Sequence, residues 1–374
     1  FDERVQWVQD NEELVLEVAR NPTETYDIWG EADSPFCFLQ ACFEYAEWAA
    51  SGYSEDFECC VAPALDGSCS GLQHYAAMTR SKEEGYHVNL LPRHSVGDIY
   101  QVVCDEARPT LEALALGGDP VCKLILENGV DRGTGKRNVM TYFYGSGKFG
   151  MRDQHMVDTM RPLADKVALG EIAKHPYEML TERTDKETGE VTSRWDGGFS
   201  CAQVLAAHIY KAVVTVAPKA DEASTWFQTI ASALAHESLP VVWRTPMGMP
   251  VMQRYSEFTS KVVNMWLYDR AVQVPVAGSK MDDAGNVLTR VQCLLREAPT
   301  KRIDKKKARS AISPNVVHSL DAAHLQRVVV KAAAEGITSF QLIHDSFATH
   351  AGNTERIFAI IREAFVEQYE TYCP

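Results

Sequence analysis

Residues Arg132-Gly133-Thr134-Gly135-Lys136-Arg137-Asn138-Val139-Met140-Thr141-Tyr142-Phe143-Tyr144-Gly145 decide how this chain is read. As a helix, the stretch sets Arg132, Lys136, Met140 and Tyr144 four apart in one slowly drifting stripe. Cations open the stripe, an aromatic closes it, and Gly145 is placed to stop the helix. Such a stripe suits a long anionic ligand with a flat head. Lys136 and Arg132 would hold phosphates, and Tyr144 would pack against a sugar or base. Taken alone, the same residues also describe a solvated helix face whose tyrosine is core.

Composition narrows the field. The chain has 374 residues and is 45% hydrophobic, enough for about two or three domains with a sizeable core. No apolar run reaches the ~18 residues of a membrane span. The chain starts at Phe1 and stops at Pro374, and it reads as a fragment of something longer. Ten cysteines are scattered without a C-x-x-C or a His/Cys cluster at zinc spacing, which suits free thiols. The net charge is −14, whereas a passive nucleic-acid coat is normally basic. Any nucleic-acid contact must come from local basic patches, or from metal ions bridging acidic groups to phosphates.

Taken in order, residues 2–20 have the apolar spacing of an amphipathic helix ended by Asn21-Pro22. Ser34-Pro35 is a helix start, and Phe36 to Ala50 is expected to be a mostly buried helix closed by Gly52. Cys59 to Leu65 suits a buried strand. It runs into Asp66-Gly67-Ser68-Cys69-Ser70-Gly71, where small residues after a carboxylate let a ligand approach the backbone. A lone Asp-Gly is more often a plain turn. Ser95-x-x-Asp98 is a variant capping box opening a helix towards Leu114, broken by Gly117-Gly118.

Residues 184–193 look like an exposed hairpin or loop, and 200–236 are helical. Val251–Tyr255 and Ser260–Tyr268 are candidate strands, with a polar turn-rich segment over 278–289. The dense basic run Lys301-Arg302-Ile303-Asp304-Lys305-Lys306-Lys307-Ala308-Arg309 is by default a solvated loop, with nucleic-acid backbone as the sharper alternative. Ser313-Pro314 is expected to start a helix with His318 in its first turn. Phe340–Ile343 and Phe347–Thr349 are expected strands around the turn His344-Asp345-Ser346. A last amphipathic helix covers 353–372.

Two carboxylates, Asp66 and Asp345, thus fall at strand ends far apart in sequence. As neighbours they could share two Mg²⁺ about 4 Å apart with substrate phosphates. A 3′-hydroxyl would then be aligned for in-line attack on an α-phosphate. Lys136 would protonate or neutralise the pyrophosphate, and Arg132 would pair with the outer phosphates.

The succession D-G-S-C-S-G, then R-x-x-x-K-R-x-x-M-T-x-x-Y-G, then P-N-x-x-H-S-x-D, then I-H-D-S-F resembles the single-subunit, phage-type DNA-directed RNA polymerases, a family that includes mitochondrial and plastid enzymes. The resemblance covers nearly the whole chain. It implies an α+β, predominantly helical, right-hand architecture with a small antiparallel palm sheet and a helical fingers domain. Residues 1–82 and 318–374 would be palm, and 83–317 fingers. The fingers would include the nucleotide-binding helix at 132–145 and a specificity-hairpin region at about 251–312.

By the same resemblance Asp66 and Asp345 are the metal-binding aspartates, with Gly67 adding a backbone carbonyl. Lys136 is the catalytic lysine. Arg132 and Arg137 contact phosphates and backbone, with Met140 and Gly145 on the same substrate-binding helix. Tyr144 senses the 2′-hydroxyl of the incoming nucleotide, and His318 helps read the ribose or minor groove of the young duplex. His344 flanks the metal aspartate, and Phe149 lies near the downstream template.

The implied cofactor is a pair of Mg²⁺ ions. The implied partners are double-stranded DNA template and promoter, nascent RNA and ribonucleoside triphosphates. The enzyme would be a monomer, away from membranes, in the cytoplasm of an infected bacterial host. Extra residues between Asn264 and Asn315 set this chain apart from better-known phage members, so promoter sequence does not carry over.

Two rivals differ on named residues. A repair-type DNA polymerase shares R-x-x-x-K-x-x-x-x-x-x-x-Y-G. Its first metal motif, however, has a bulky Tyr after the Asp and a Glu a few residues on. Here Gly67 and Ser68 are small, no such Glu follows, and Ser346 replaces the acidic residue after the second Asp. A non-catalytic nucleic-acid-binding remnant predicts loss of a metal or phosphate residue, and none is lost.

Overall fold

The computed structural model describes residues 2–184, 191–269, 280–281 and 287–372. In chain order it runs α1 (Asp2–Asp10), α2 (Glu12–Arg20), α3 (Tyr26–Trp29), α4 (Pro35–Ala50), β1 (Ala64–Leu65), α5 (Ser70–Thr79), α6 (Lys82–His87), α7 (Ile99–Leu116), α8 (Pro120–Glu127), α9 (Arg132–Tyr142) and α10 (Lys148–His155). A π-helical turn, Met156–Met160, leads into α11 (Arg161–Ala168), β2 (Leu180–Thr184), β3 (Val191–Trp195), α12 (Phe199–Val216), α13 (Pro218–His236), β4 (Val241–Arg244) and β5 (Pro250–Gln253). Then follow β6 (Ser256–Asp269), β7 (Lys280–Met281), β8 (Val287–Ile303), α14 (Lys305–Ala334), β9 (Gln341–Ile343), β10 (Ser346–Ala348) and α15 (Thr354–Thr371). The class is α+β and mostly helical, with small antiparallel sheets.

The chain divides into two compact units, residues up to Ser70 with those from Asp321, and residues 71–320. In the first, β1, β10 and β9 form an antiparallel sheet in that order. Phe347 of β10 joins Val328 and Ala332 of α14, Ile337, and Ile357, Ile360 and Ala364 of α15 in one core, with Leu65 and Leu342 packed against it. A smaller cluster gathers Val15, Val18, Trp29 and Cys42 from α2, α3 and α4.

In the second unit α12 is the central helix and packs on α7, α8, α9 and α10. By length and composition α12 is apolar enough to cross a membrane. Its Cys201, Leu205, Ile209, Ala212 and Val213 are buried in the unit's own core. The remaining strands make the hairpins β2–β3 and β4–β5 and the sheet β6-β8-β7. Asn315 of α14 reaches Gln253 of β5 at 2.7 Å, and Gln253 in turn donates to the Ala308 carbonyl at 2.8 Å.

Several expectations need correction. The helix over 2–20 breaks at Asn11, whose side chain turns back to the Trp7 carbonyl at 2.8 Å. Helix α4 is not mostly buried: only Cys42 is, and Phe36 is 78% exposed. Phe36 lies four residues before Gln40, on the stripe that Gln40, Glu44 and Glu47 share, so helical spacing carries it onto the polar face. The expected strand at 59–65 shrinks to Ala64–Leu65, because the Glu44 carboxylate takes the Cys60 N–H. Asp98, not Ser95, caps α7, accepting from the N–H groups of Tyr100 and Gln101 at 3.0 and 3.3 Å.

Helix α14 starts at Lys305 rather than Ser313 and runs through Pro314, so His318 lies in its interior and the basic run is a strand end plus a helix start. Asp304 supplies the cap, accepting the Lys307 N–H at 2.9 Å. The flanks of the 184–193 segment pair as β2 and β3, and its tip lies outside the described residues. Most of the polar segment over 278–289 also lies outside them. The described cysteines are free.

Candidate functional site

In the first unit the sheet register brings the two aspartates to one end. Leu65 pairs with Phe347 and Ala64 with Ala348. Continuing that register by one residue sets Asp66 opposite Ser346, beside Asp345. Asp345 sits in the two-residue turn between β9 and β10, whose flanking Ile343 and Ser346 are paired. His344, the first turn residue, has φ of +54°, a left-handed conformation that costs a non-glycine residue about 1–2 kcal/mol. The core beneath, with Leu65, Leu342 and Phe347 in contact, holds the turn in place.

The electrostatics of this end are those of crowded acids. Burial raises the pKa of Asp345 above the ordinary carboxylate value. The carboxylates of Asp66 and Asp321 push it in the same direction, while its own backbone and the Ser70 hydroxyl oppose them through hydrogen bonds. Asp66 is exposed and accepts the Gly67 N–H at 3.0 Å. Asp321 was not singled out from sequence. The available signal was its place in P-N-x-x-H-S-x-D, three residues after His318.

Among the described residues no group of three or more His, Cys, Asp or Glu side chains is arranged to hold a metal ion by itself. Mg²⁺ normally takes only one or two carboxylates, with water and substrate phosphates completing its shell. A half-buried aspartate beside two more carboxylates, with no cationic partner among the described residues, fits that mode.

In the second unit α9 is the polar helix the sequence implies. Asp131 caps it, accepting from the Thr134 N–H and hydroxyl, both at 3.0 Å. The helix proper ends at Tyr142, two residues short of Tyr144. The Gly145 N–H reaches the Tyr142 carbonyl at 2.8 Å and the Ser146 N–H reaches Thr141 at 3.0 Å. This is a Schellman stop, with Gly145 at φ +85°. Gly145 also sits tightly against α14: a Cβ there would lie 3.2 Å from the Ser310 carbonyl oxygen, which would have to give by a few tenths of an ångström. Pro314 lacks the N–H that would otherwise bond that carbonyl within α14.

The cations of α9 differ in their surroundings. Arg132 Nε lies 2.7 Å from Asp98, and Arg137 pairs with Asp158 of the π-helical turn. Lys136 is exposed and makes no ion pair among the described residues. Met140 is partly exposed, and Phe149 is 75% exposed with the Arg152 guanidinium 5.4 Å from its ring. Tyr144 meets His318 edge-on, with centroids 4.7 Å apart. A Cβ at Gly71 would lie 3.3 Å from the Tyr144 ring. Sequence reasoning did not anticipate the partners Asp98 and Asp158, because neither lies near α9 in the chain.

Residues 1–373 match the family of DNA-dependent RNA polymerases, and the chain belongs to that family. It is 33% identical to the T7 RNA polymerase of Escherichia phage T7 across 99% of this chain and 41% of that protein. It is 32% identical to the DNA-directed RNA polymerase of Enterobacteria phage T3, with the same shares covered. The mitochondrial DNA-directed RNA polymerase of Schizosaccharomyces pombe is 28% identical, over 98% of this chain and 28% of that protein. The chain therefore spans 41% or less of the length of these relatives.

Proposed function

We propose that this chain carries the palm and fingers of a single-subunit, DNA-directed RNA polymerase that adds ribonucleotides to an RNA 3′-hydroxyl and releases pyrophosphate. The observation that carries the reading is the meeting of Asp66 and Asp345, with Asp321, at one end of the β1-β10-β9 sheet. Residues 1–82 and 318–374 are assigned to the palm, and 83–317 to the fingers, with the specificity hairpin within about 251–312.

Asp66 and Asp345 would hold two Mg²⁺, with the Gly67 carbonyl as a further ligand. Bound there, the ions would lower the pKa of the 3′-hydroxyl and neutralise charge on the departing pyrophosphate. Lys136, without a carboxylate partner among the described residues, donates a proton to the leaving group or balances its charge. Arg132 and Arg137 bind phosphates, each exchanging or sharing its present carboxylate partner. Tyr144 discriminates the 2′-hydroxyl, and His318 supports its ring and reads the ribose or minor groove. Met140 and Gly145 shape the surface beside them, Phe149 lies on the template side, and His344 flanks Asp345.

The partners are duplex template and promoter, nascent RNA and ribonucleoside triphosphates. The setting is a phage-infected bacterium, with the enzyme acting as a monomer. The test is primer extension by the full-length protein on a preformed template–primer with Mg²⁺ and either rNTPs or dNTPs. Template-directed extension with rNTPs is expected. Preferential use of dNTPs, or no extension, would refute the reading.

A further inference from the structure

One face of α7 holds the entrance to α9. Asp98, Gln101, Cys104 and Arg108 recur at helical spacing, and each bonds to residues 130–132. Asp98 divides its carboxylate: Oδ1 caps α7, while Oδ2 lies 2.7 Å from Arg132 Nε. Gln101 Oε1 accepts the Arg132 backbone N–H at 3.1 Å. The Cys104 thiol donates to the Asp131 carbonyl at 2.9 Å, and Arg108 Nη2 donates to the Val130 carbonyl at 2.7 Å. Gly135 lets the helices close, since a Cβ there would lie 2.4 Å from Cys104 Sγ. The Arg132 guanidinium also lies 5.4 Å from the Tyr100 ring centroid.

We propose that Asp98 is a positioning residue that sets the Arg132 guanidinium for the outer phosphates of a nucleoside triphosphate. This rests on the reading of α9 as the phosphate-binding helix. Arginine is long and flexible, and a phosphate must otherwise collect it from many rotamers. Here the carboxylate that holds it cannot wander, because two backbone N–H groups fix its other oxygen. A guanidinium held at Nε can present its terminal nitrogens to a second anion. A displaceable latch would more naturally use a mobile carboxylate than a helix cap.

The test is Asp98→Asn in the full-length protein. Asparagine caps a helix as well as aspartate does, so the charge is removed and the cap is kept. Equilibrium titrations with ATP and with AMP are compared. The ATP Kd is expected to rise roughly two- to fivefold, the factor an exposed ion pair supplies. AMP affinity and Tm should stay at wild-type values. In an Arg132→Gln background the same change should add nothing.

Unchanged or tighter ATP binding, or equal losses for ATP and AMP, would overturn the proposal. A lowered Tm would make the residue structural, and Asp98→Ser, which also caps, would then have to reproduce the ATP-selective loss for the proposal to stand. Primer extension by the same wild-type preparation reads the polymerase assignment separately. Extension with unchanged ATP affinity in Asp98→Asn defeats the positioning role alone. The ATP-selective loss without extension defeats the polymerase assignment alone.

Discussion

The rings of Tyr144 and His318 meet edge-on at a centroid separation of 4.7 Å and an interplanar angle of 85°. One ring follows the C-terminus of α9, and the other stands in the interior of α14. Phenylalanine would keep this ring pair and lose only the hydroxyl. Tyr144→Phe should therefore leave rNTP extension near wild type and lower the rNTP/dNTP ratio roughly three- to tenfold, the worth of one hydrogen bond. Single-nucleotide extension with ATP against dATP measures it, and an unchanged ratio would remove Tyr144 from sugar sensing.

Asp345 joins activity to instability. On the proposed two-metal reading its Asn variant should lose about 10³-fold or more in nucleotide addition, because the proposed ligand and its charge go together. The same variant should be more thermostable in neutral, metal-free buffer. Its folded-state pKa is raised by burial and by Asp66 and Asp321. Ionising it therefore penalises the folded state above the ordinary carboxylate range, and the penalty vanishes once the group is protonated. Asparagine removes that penalty at neutral pH. Thermal melts in EDTA should show a higher Tm for Asp345→Asn, and added Mg²⁺ should raise the wild-type Tm more than the variant's. A lower Tm for the variant in EDTA would contradict the repulsion argument.

What could be read from sequence followed from local chemistry. The helix α9 with Arg132, Lys136 and Met140, its stop at Gly145 and the turn bearing Asp345 were visible in residue order, since caps, glycines and alternation act over a few positions, whereas Tyr144 falls two residues past the helix end. The misses came from partners distant in the chain. Glu44 takes a backbone N–H from Cys60, so an apolar run that suits a strand has little ladder. Pro314 looks like a helix start because proline is tolerated there, yet α14 already begins at the Asp304 cap. Asp321, Asp98 and Asp158 gain meaning only from what folding sets beside them.

His155 gives a pH dependence that is separate from the carboxylates of the first unit. It is 4% exposed at the end of α10, and its Nε2 finds no hydrogen-bond partner among the described residues. Burial pushes its imidazole down to about 4, with Asp158 opposing. A depressed folded-state pKa keeps the ring neutral. The stability this contributes is fully present above the unfolded value of 6.5 and is lost as pH falls from there through about 4. His155→Phe should flatten that acid limb. Melts from neutral pH down to about 4 compare the two chains, and parallel curves would mean that His155 charges without cost.

Lys305, Lys306 and Lys307 occupy the first turn of α14, where the helix dipole disfavours cations. Ile303 and Ala308 on either side are buried with Ala235, so the segment cannot slide away from that position. Lys307 Nζ is partly satisfied 4.7 Å from the Tyr255 ring centroid. An unfavourable charge cluster held on a buried anchor is what a phosphate-backbone contact would use, since anions are welcome at that helix end. Replacing the three lysines by glutamine in the full-length protein should reduce the slope of log K for duplex DNA against log salt by about 0.9 per phosphate contact removed. The loss should be uniform across DNA sequences, because phosphate contacts position a duplex without reading it. Anisotropy titrations at several salt concentrations measure the slope. A slope equal to wild type would return these lysines to the solvated surface, and a sequence-dependent loss would assign them to base readout instead.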